Sequence, residues 1–329
     1  MTAASLRLQL ADASRFDAEY GASLSNHLPM ALTALARLGA DDARLAAFAA
    51  RYAQRLHAAP ALERWPTGMP WRAQLGDPRA WPAYRSLMRE WIAFDGAPMV
   101  LGQVLPTLME GVGAAAFHGL IRTAYALTAN HADELADALA YWACRWFRCG
   151  APPQGGAQDD PAPVLAALEG LAAPRAPLIA QAMALAAAQP RFASALAGWR
   201  VDEGTLPRLA LRAAERYVAE GGFTGLHLVT SAHAMQVVLP WCDSAADRAG
   251  SAGHYAVAFA AAWATLGRTA VSAATPVRIL PDWGRLAALA AASDDDHVVK
   301  LVDSARELER LHGGSVWQHV AARAVTRGV

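Results

Sequence analysis

Lysine is all but missing from this chain: of its 29 Lys and Arg residues, Lys300 alone is a lysine. With 29 acidic residues the formal net charge is zero, and no basic tract or stripe occurs. That excludes the electrostatic footprint on which nucleic-acid binding depends. Cysteine is scarce too. Cys144, Cys149 and Cys242 form neither an even disulfide framework nor a CxxC metal pattern, and they read as buried thiols of a reducing compartment. Long apolar runs are also lacking, because VLAALEGLAAPRAPLIAQAMALAAA is broken by Glu, Pro and Arg before reaching the roughly 18 residues a membrane span requires. The N-terminal stretch has no basic region followed by an apolar core, so no signal peptide is expected. These absences point to a soluble, cytoplasmic protein with neither nucleic acid nor membrane as a partner.

Familiar catalytic motifs are missing as well. There is no HExxH, no GxSxG elbow and no P-loop, which leaves metalloprotease, α/β-hydrolase and NTPase readings unsupported. The string GVGAAA at 111–116 matches a dinucleotide fingerprint in form. That fingerprint works only between a strand and a helix, whereas a helical segment precedes this one. Glu309 and His312 make a single ExxH, and a di-iron bundle needs two such pairs and two further glutamates.

What is present is helical periodicity, with β-branched runs almost absent, so the fold expected is all-α: one large multi-helix bundle in a single domain. Helices are predicted over Asn26 to Leu38, Asp41 to His57, Tyr84 to Phe94, Leu101 to Glu110, Ala114 to Thr128 and Ala132 to Phe147. In the first, Leu28, Leu32 and Leu35 share a face, Ser25 or Asn26 caps the start and Gly39 stops it. Five prolines and three tryptophans between residues 60 and 82 predict an irregular connection packed on the helices. Residues 149–163, CGAPPQGGAQDDPAP, form the clearest loop. Beyond it, helices are expected at 163–171, 175–188, 190–198 and 205–220, then Thr224 to Leu239, His254 to Leu266, Asp282 to Ala292 and Asp294 to Leu311, with a short terminal one. Ser293 is the expected cap of the Asp294 helix, with Asp294 to Asp296 as favourable negative charge in its first turn.

The chemistry is sought among the ten histidines. His27, His118, His227 and His297 lie in helical, mostly apolar settings, where imidazoles can converge on a metal between facing helices. His297 and Lys300 are i and i+3, on one helical face, which puts an amine that can be deprotonated beside a potential ligand. His233, six residues after His227, falls on a different face and is a reserve ligand or a substrate contact. Arg122 and Tyr125 share the face of His118 and can touch a phenolic or carboxylate substrate, or equally serve as a salt-bridged arginine and a core tyrosine.

These residues sit in stretches that resemble the questin oxidase-like family, proteins tied to oxidative cleavage of anthraquinone-type aromatic polyketides. The matching pieces are SNHLPMALTALARLGADDARL, WRAQLGDPRAWPAYRSLM, FHGLIRTAYAL, LHLVTSAHA and DDDHVVKLVDSARE, in that order across residues 20 to 309. The resemblance implies an all-α fold with a mononuclear non-haem iron held by His27, His118, His227 and Lys300 as its carbamate, with His297 or His233 completing the set. Burial disfavours an ammonium, and the neutral amine can add carbon dioxide to become an anionic oxygen ligand; arginine cannot. Such a nitrogen and oxygen set suits Fe(II) with dioxygen as co-substrate.

The resulting expectation is an oxygenase acting on a small aromatic or quinone-like substrate in an apolar, Trp-lined pocket. It would insert oxygen beside a carbonyl, in Baeyer–Villiger fashion or with carbon–carbon cleavage. Some family members use a reduced nicotinamide, but this chain shows no nucleotide fold for NADPH. Two alternatives stay open. The same ligands serve a zinc-dependent hydrolase or isomerase, and the histidines could be core residues of a non-catalytic helical binding protein.

Overall fold

A computed structural model describes residues 3–169, 171, 176–267 and 280–328. Among them sixteen α-helices are connected by loops and by one two-stranded antiparallel hairpin, Glu19–Tyr20 with Leu24–Ser25. The helices are α1 (Ala3–Ala13), α2 (Leu28–Arg37), α3 (Asp42–Ala53), α4 (Trp81–Asp95), α5 (Ala97–Glu110), α6 (His118–Ala129), α7 (Ala132–Cys144) and α8 (Pro161–Leu168). They continue with α9 (Ile179–Ala187), α10 (Pro190–Leu196), α11 (Thr205–Glu220), α12 (Phe223–Val238), α13 (Ala245–Ala264), α14 (Trp283–Ala292), α15 (Asp296–His312) and α16 (Val316–Arg327). The fold is all-α, and none of the described helices is long and apolar enough to cross a membrane.

Local chemistry explains most boundaries. In α2 the predicted stripe Leu28, Leu32 and Leu35 is buried, and Gly39 at φ 92 supplies the left-handed residue after the helix. The Asp41 carboxylate accepts from the Arg44 amide to start α3. The Pro/Trp-rich connection is irregular as predicted, with 3-10 turns at Trp71–Gln74 and Pro78–Ala80.

Elsewhere the structure corrects the expectation. Helix α1 was not anticipated, because its apolar positions are few and thinly patterned. Helix α13 starts at Ala245 rather than His254, where the Ser244 hydroxyl accepts from the Asp247 amide. The helix expected from Ala114 begins only at His118, because Ala115, Ala116 and Phe117 have φ of 47, 56 and 70 and cannot continue a right-handed helix. The cap of α15 is Asp295, whose side chain accepts from the His297 amide, and not Ser293. The end of the helix expected over 163–171 and the start of the one expected over 175–188 involve residues 170 and 175, outside the described residues.

One ring of helices positions the residues of interest. α2 packs on α6, α6 on α12, α12 on α15, and α15 on α2. The ring is pinned by Arg37 near the end of α2, which donates to Asp303 of α15 at 2.8 Å and pairs with Glu307 at 2.9 Å.

Candidate metal centre

The start of each of these four helices carries a candidate ligand. His27 is the N-cap of α2, and His118 is the first residue of α6. His227 is one turn into α12, and Asp296, His297 and Lys300 occupy the first turns of α15. The positive ends of four helix dipoles therefore meet at one place, which favours anions there and disfavours any cation whose charge anionic groups do not offset.

Three imidazoles converge through their Nε2 atoms. His27 Nε2 lies 2.6 Å from His118 Nε2, which in turn lies 3.3 Å from His227 Nε2. The opposite nitrogen of each ring is committed to an acceptor. His118 Nδ1 is 2.5 Å from the Ala115 carbonyl, His227 Nδ1 is 2.6 Å from the Phe223 carbonyl, and His27 Nδ1 is 2.5 Å from Asp296 Oδ2. Carbonyls and carboxylates only accept, so each Nδ1 bears the proton and each Nε2 presents a lone pair.

Lone pairs facing one another at such distances need a positive charge among them. A proton is a poor candidate. Burial pushes His27 down to about 3 and His118 and His227 well below the usual imidazole range, and the nearby Lys300 charge adds to the effect in all three. A metal ion suits the set better. At metal–nitrogen bonds of about 2.1 Å, two ligands at right angles lie roughly 3 Å apart, between the two separations seen.

Asp296 is the residue that sequence reasoning missed. It is buried, and its Oδ2 lies 2.5 Å from His27 Nδ1, 3.4 Å from His297 Nδ1 and 3.5 Å from Lys300 Nζ. Burial works to raise this carboxyl, but the hydrogen bond from His27 and the Lys300 ammonium outweigh it and hold the group well below its ordinary range. His27, Asp296 and His297 also present donor atoms within 4.8 Å of one another. Because Asp296 meets His27 on the edge opposite Nε2, it cannot share an ion held by the three Nε2 atoms through that contact. It orients the His27 ring instead. The triple aspartate at a helix start looked like capping, and only Asp295 caps; Asp294 pairs with Arg44 and Arg51 on α3.

His297 is the fourth imidazole, its ring 4.8 Å from that of His27 and 6.4 Å from that of His227. At 21% side-chain exposure it forms the solvent edge of the cluster, and the exposed Phe223 ring stands 5.0 Å away. Lys300 is buried, and desolvation lowers its amine to about 8 against the opposing pull of Asp296.

The remaining candidates lie beside this group. Tyr125 donates to the Lys300 carbonyl at 3.3 Å. His233 faces Ser304 Oγ at 3.1 Å and Tyr125 at 6.3 Å between ring centroids, and burial lowers it to about 4. Arg122 is bound through two nitrogens to Glu134, at 2.6 and 2.9 Å, both side chains being buried. A surface cleft of about 230 Å³ contains Trp81 with Pro60, Pro78, Pro82, Glu19 and Tyr141. Ser25, two residues before His27, reaches Tyr141 at 2.7 Å.

Comparison with known proteins bears on the same residues. The family model described as Questin oxidase-like matches residues 24–305 of the 329, a span that includes His27, His118, His227, Asp296, His297 and Lys300. No curated protein is similar enough to match the chain.

Proposed function

The chain belongs to the questin oxidase-like family, and from that premise we propose that it is a non-haem iron oxygenase whose ion is held by His27, His118 and His227, with His297 and Lys300 completing the set. The observation that carries the reading is the convergence of three Nε2 lone pairs whose Nδ1 protons are all engaged elsewhere. The family name points to an oxidase, and a nitrogen-rich set with room for a further ligand suits ferrous iron.

Bound there, the ion would supply the centre at which dioxygen is activated. The protein's own residues do the rest. The Ala115 and Phe223 carbonyls and the Asp296 carboxylate fix ring orientation. Burial keeps the imidazoles neutral and available. Lys300 as a carbamate would add a negative oxygen where four helix dipoles present their positive ends, and its lowered amine is the form that reacts with carbon dioxide. His297 and Phe223 form the edge at which a flat aromatic or quinone-like substrate would approach. The reaction would be oxidative carbon–carbon cleavage or oxygen insertion beside a carbonyl.

The test is elemental analysis of anaerobically purified protein, followed by oxygen uptake with a hydroxylated anthraquinone. Stoichiometric iron and substrate-dependent oxygen consumption are expected. Zinc without oxygen uptake would establish the hydrolase alternative instead, and protein that binds no metal would leave a helical binding protein.

A further inference from the structure

The run GVGAAAF contains two glycines, yet the left-handed backbone falls on Ala115, Ala116 and Phe117, at φ 47, 56 and 70. Glycine takes such angles freely and alanine does not. The glycines are used otherwise. A Cβ on Gly111 would run into the Trp146 ring, and one on Gly113 would meet Cys149 Sγ and Met183 Cε at 3.1 Å. They allow close packing, while the residues with side chains carry the unfavourable turn.

That turn has one evident product. It folds the Ala115 carbonyl back to 2.5 Å from His118 Nδ1 and delivers His118 as the first residue of α6. Phe117, the N-cap, is left-handed and makes no side-chain capping bond. Its buried ring, 5.9 Å from Tyr255, anchors the turn to α13. Strained backbone of this kind persists where surrounding packing over-determines it, and it clusters at functional sites.

We propose that the left-handed turn Ala115–Phe117 is a positioning element of the metal centre, held under backbone strain so that the Ala115 carbonyl fixes the tautomer and direction of His118. This rests on the metal-centre reading above. Ala115 is the position to probe, because it is only partly buried and its side chain can change with little loss of packing.

Two substitutions should act in opposite ways. Ala115→Gly keeps the left-handed turn without its penalty, so the metal-free protein should melt about 1–2 °C higher and bind Co(II) as the wild type does. Ala115→Val puts a β-branched residue where φ is positive. It should weaken Co(II) binding by about tenfold or more and alter the visible spectrum of the bound ion, while far-UV circular dichroism stays helical.

Co(II) titration followed by absorption, with thermal melts of the metal-free proteins, decides the matter. Wild-type affinity and spectrum in Ala115→Val overturn the positioning role, and a lower melting temperature in Ala115→Gly overturns the strain. Wild-type protein that takes up no Co(II) overturns the metal centre itself and this assignment with it, an outcome distinct from both.

Discussion

Asp296 Oδ2 lies 2.5 Å from Nδ1 of His27, a residue 269 positions earlier in the chain. The carboxylate both orients the imidazole and increases its basicity at Nε2, as acceptors behind metal-binding histidines do. Asp296→Ala is therefore expected to lower metal affinity by roughly 10- to 100-fold. Asp296→Asn retains an oxygen acceptor and should lose far less. Equilibrium competition with a chelator measures both, and equal affinities for the two variants would rule out the orienting role.

Lys300 tests the anionic ligand. Lys300→Arg keeps a positive charge within reach of Asp296 but cannot form a carbamate. It should be purified with little iron, and wild-type protein should load metal better in bicarbonate than in carbon dioxide-free buffer. Stoichiometric iron in Lys300→Arg, by elemental analysis, would refute the assignment.

Asp303 gives a pH signature away from the imidazoles. Burial raises its carboxyl from 3.8 to about 6, against the pull of Arg37. A raised folded-state value means that the folded protein holds this proton more tightly than the unfolded chain. The associated stability is fully present below the unfolded value and is lost as pH rises through about 6. Urea unfolding between pH 4 and 7 should show the wild type losing roughly 2 kcal/mol relative to Asp303→Asn. Parallel stability curves would contradict this.

Arg122 separates support from catalysis. Arg122→Ala leaves Glu134 buried and unpaired, and should destabilise the fold by about 3–5 kcal/mol. Replacing both partners with apolar residues, Arg122→Met with Glu134→Leu, should recover most of that. If the double variant then consumes oxygen at the wild-type rate, the arginine serves the fold; a stable protein that has lost turnover would place it on the substrate.

Most of the helices and four of the imidazoles were legible in the sequence because apolar periodicity is a local signal and a histidine within it is conspicuous; α1, whose pattern is thin, was not. Lys300 stood out by its rarity. Other features were hidden for physical reasons. A carboxylate one residue inside a helix start satisfies the capping pattern whether it faces water or a buried imidazole, so nothing local distinguished Asp296 from Asp294. The Ala115–Phe117 turn runs against the propensity of its residues, since alanine is the strongest helix former, and tertiary packing overrides that preference. Arg122 and Tyr125 share the face of His118 as the spacing predicts. Which partner each takes depends on how α6 packs against its neighbours: Arg122 on the next helix, α7, and Tyr125 on α15, far away in the chain.

The ring of four helices draws its members from distant stretches of polypeptide, and His27 and Asp296 stand close to its two extremes. An ion held by His27 at one extreme and by His297 and Lys300, just beyond Asp296, at the other would act as a covalent cross-link does, closing very long loops and subtracting freedom from the unfolded chain. Metal release would then loosen the whole molecule at once, and resistance to proteolysis would follow the concentration of free metal.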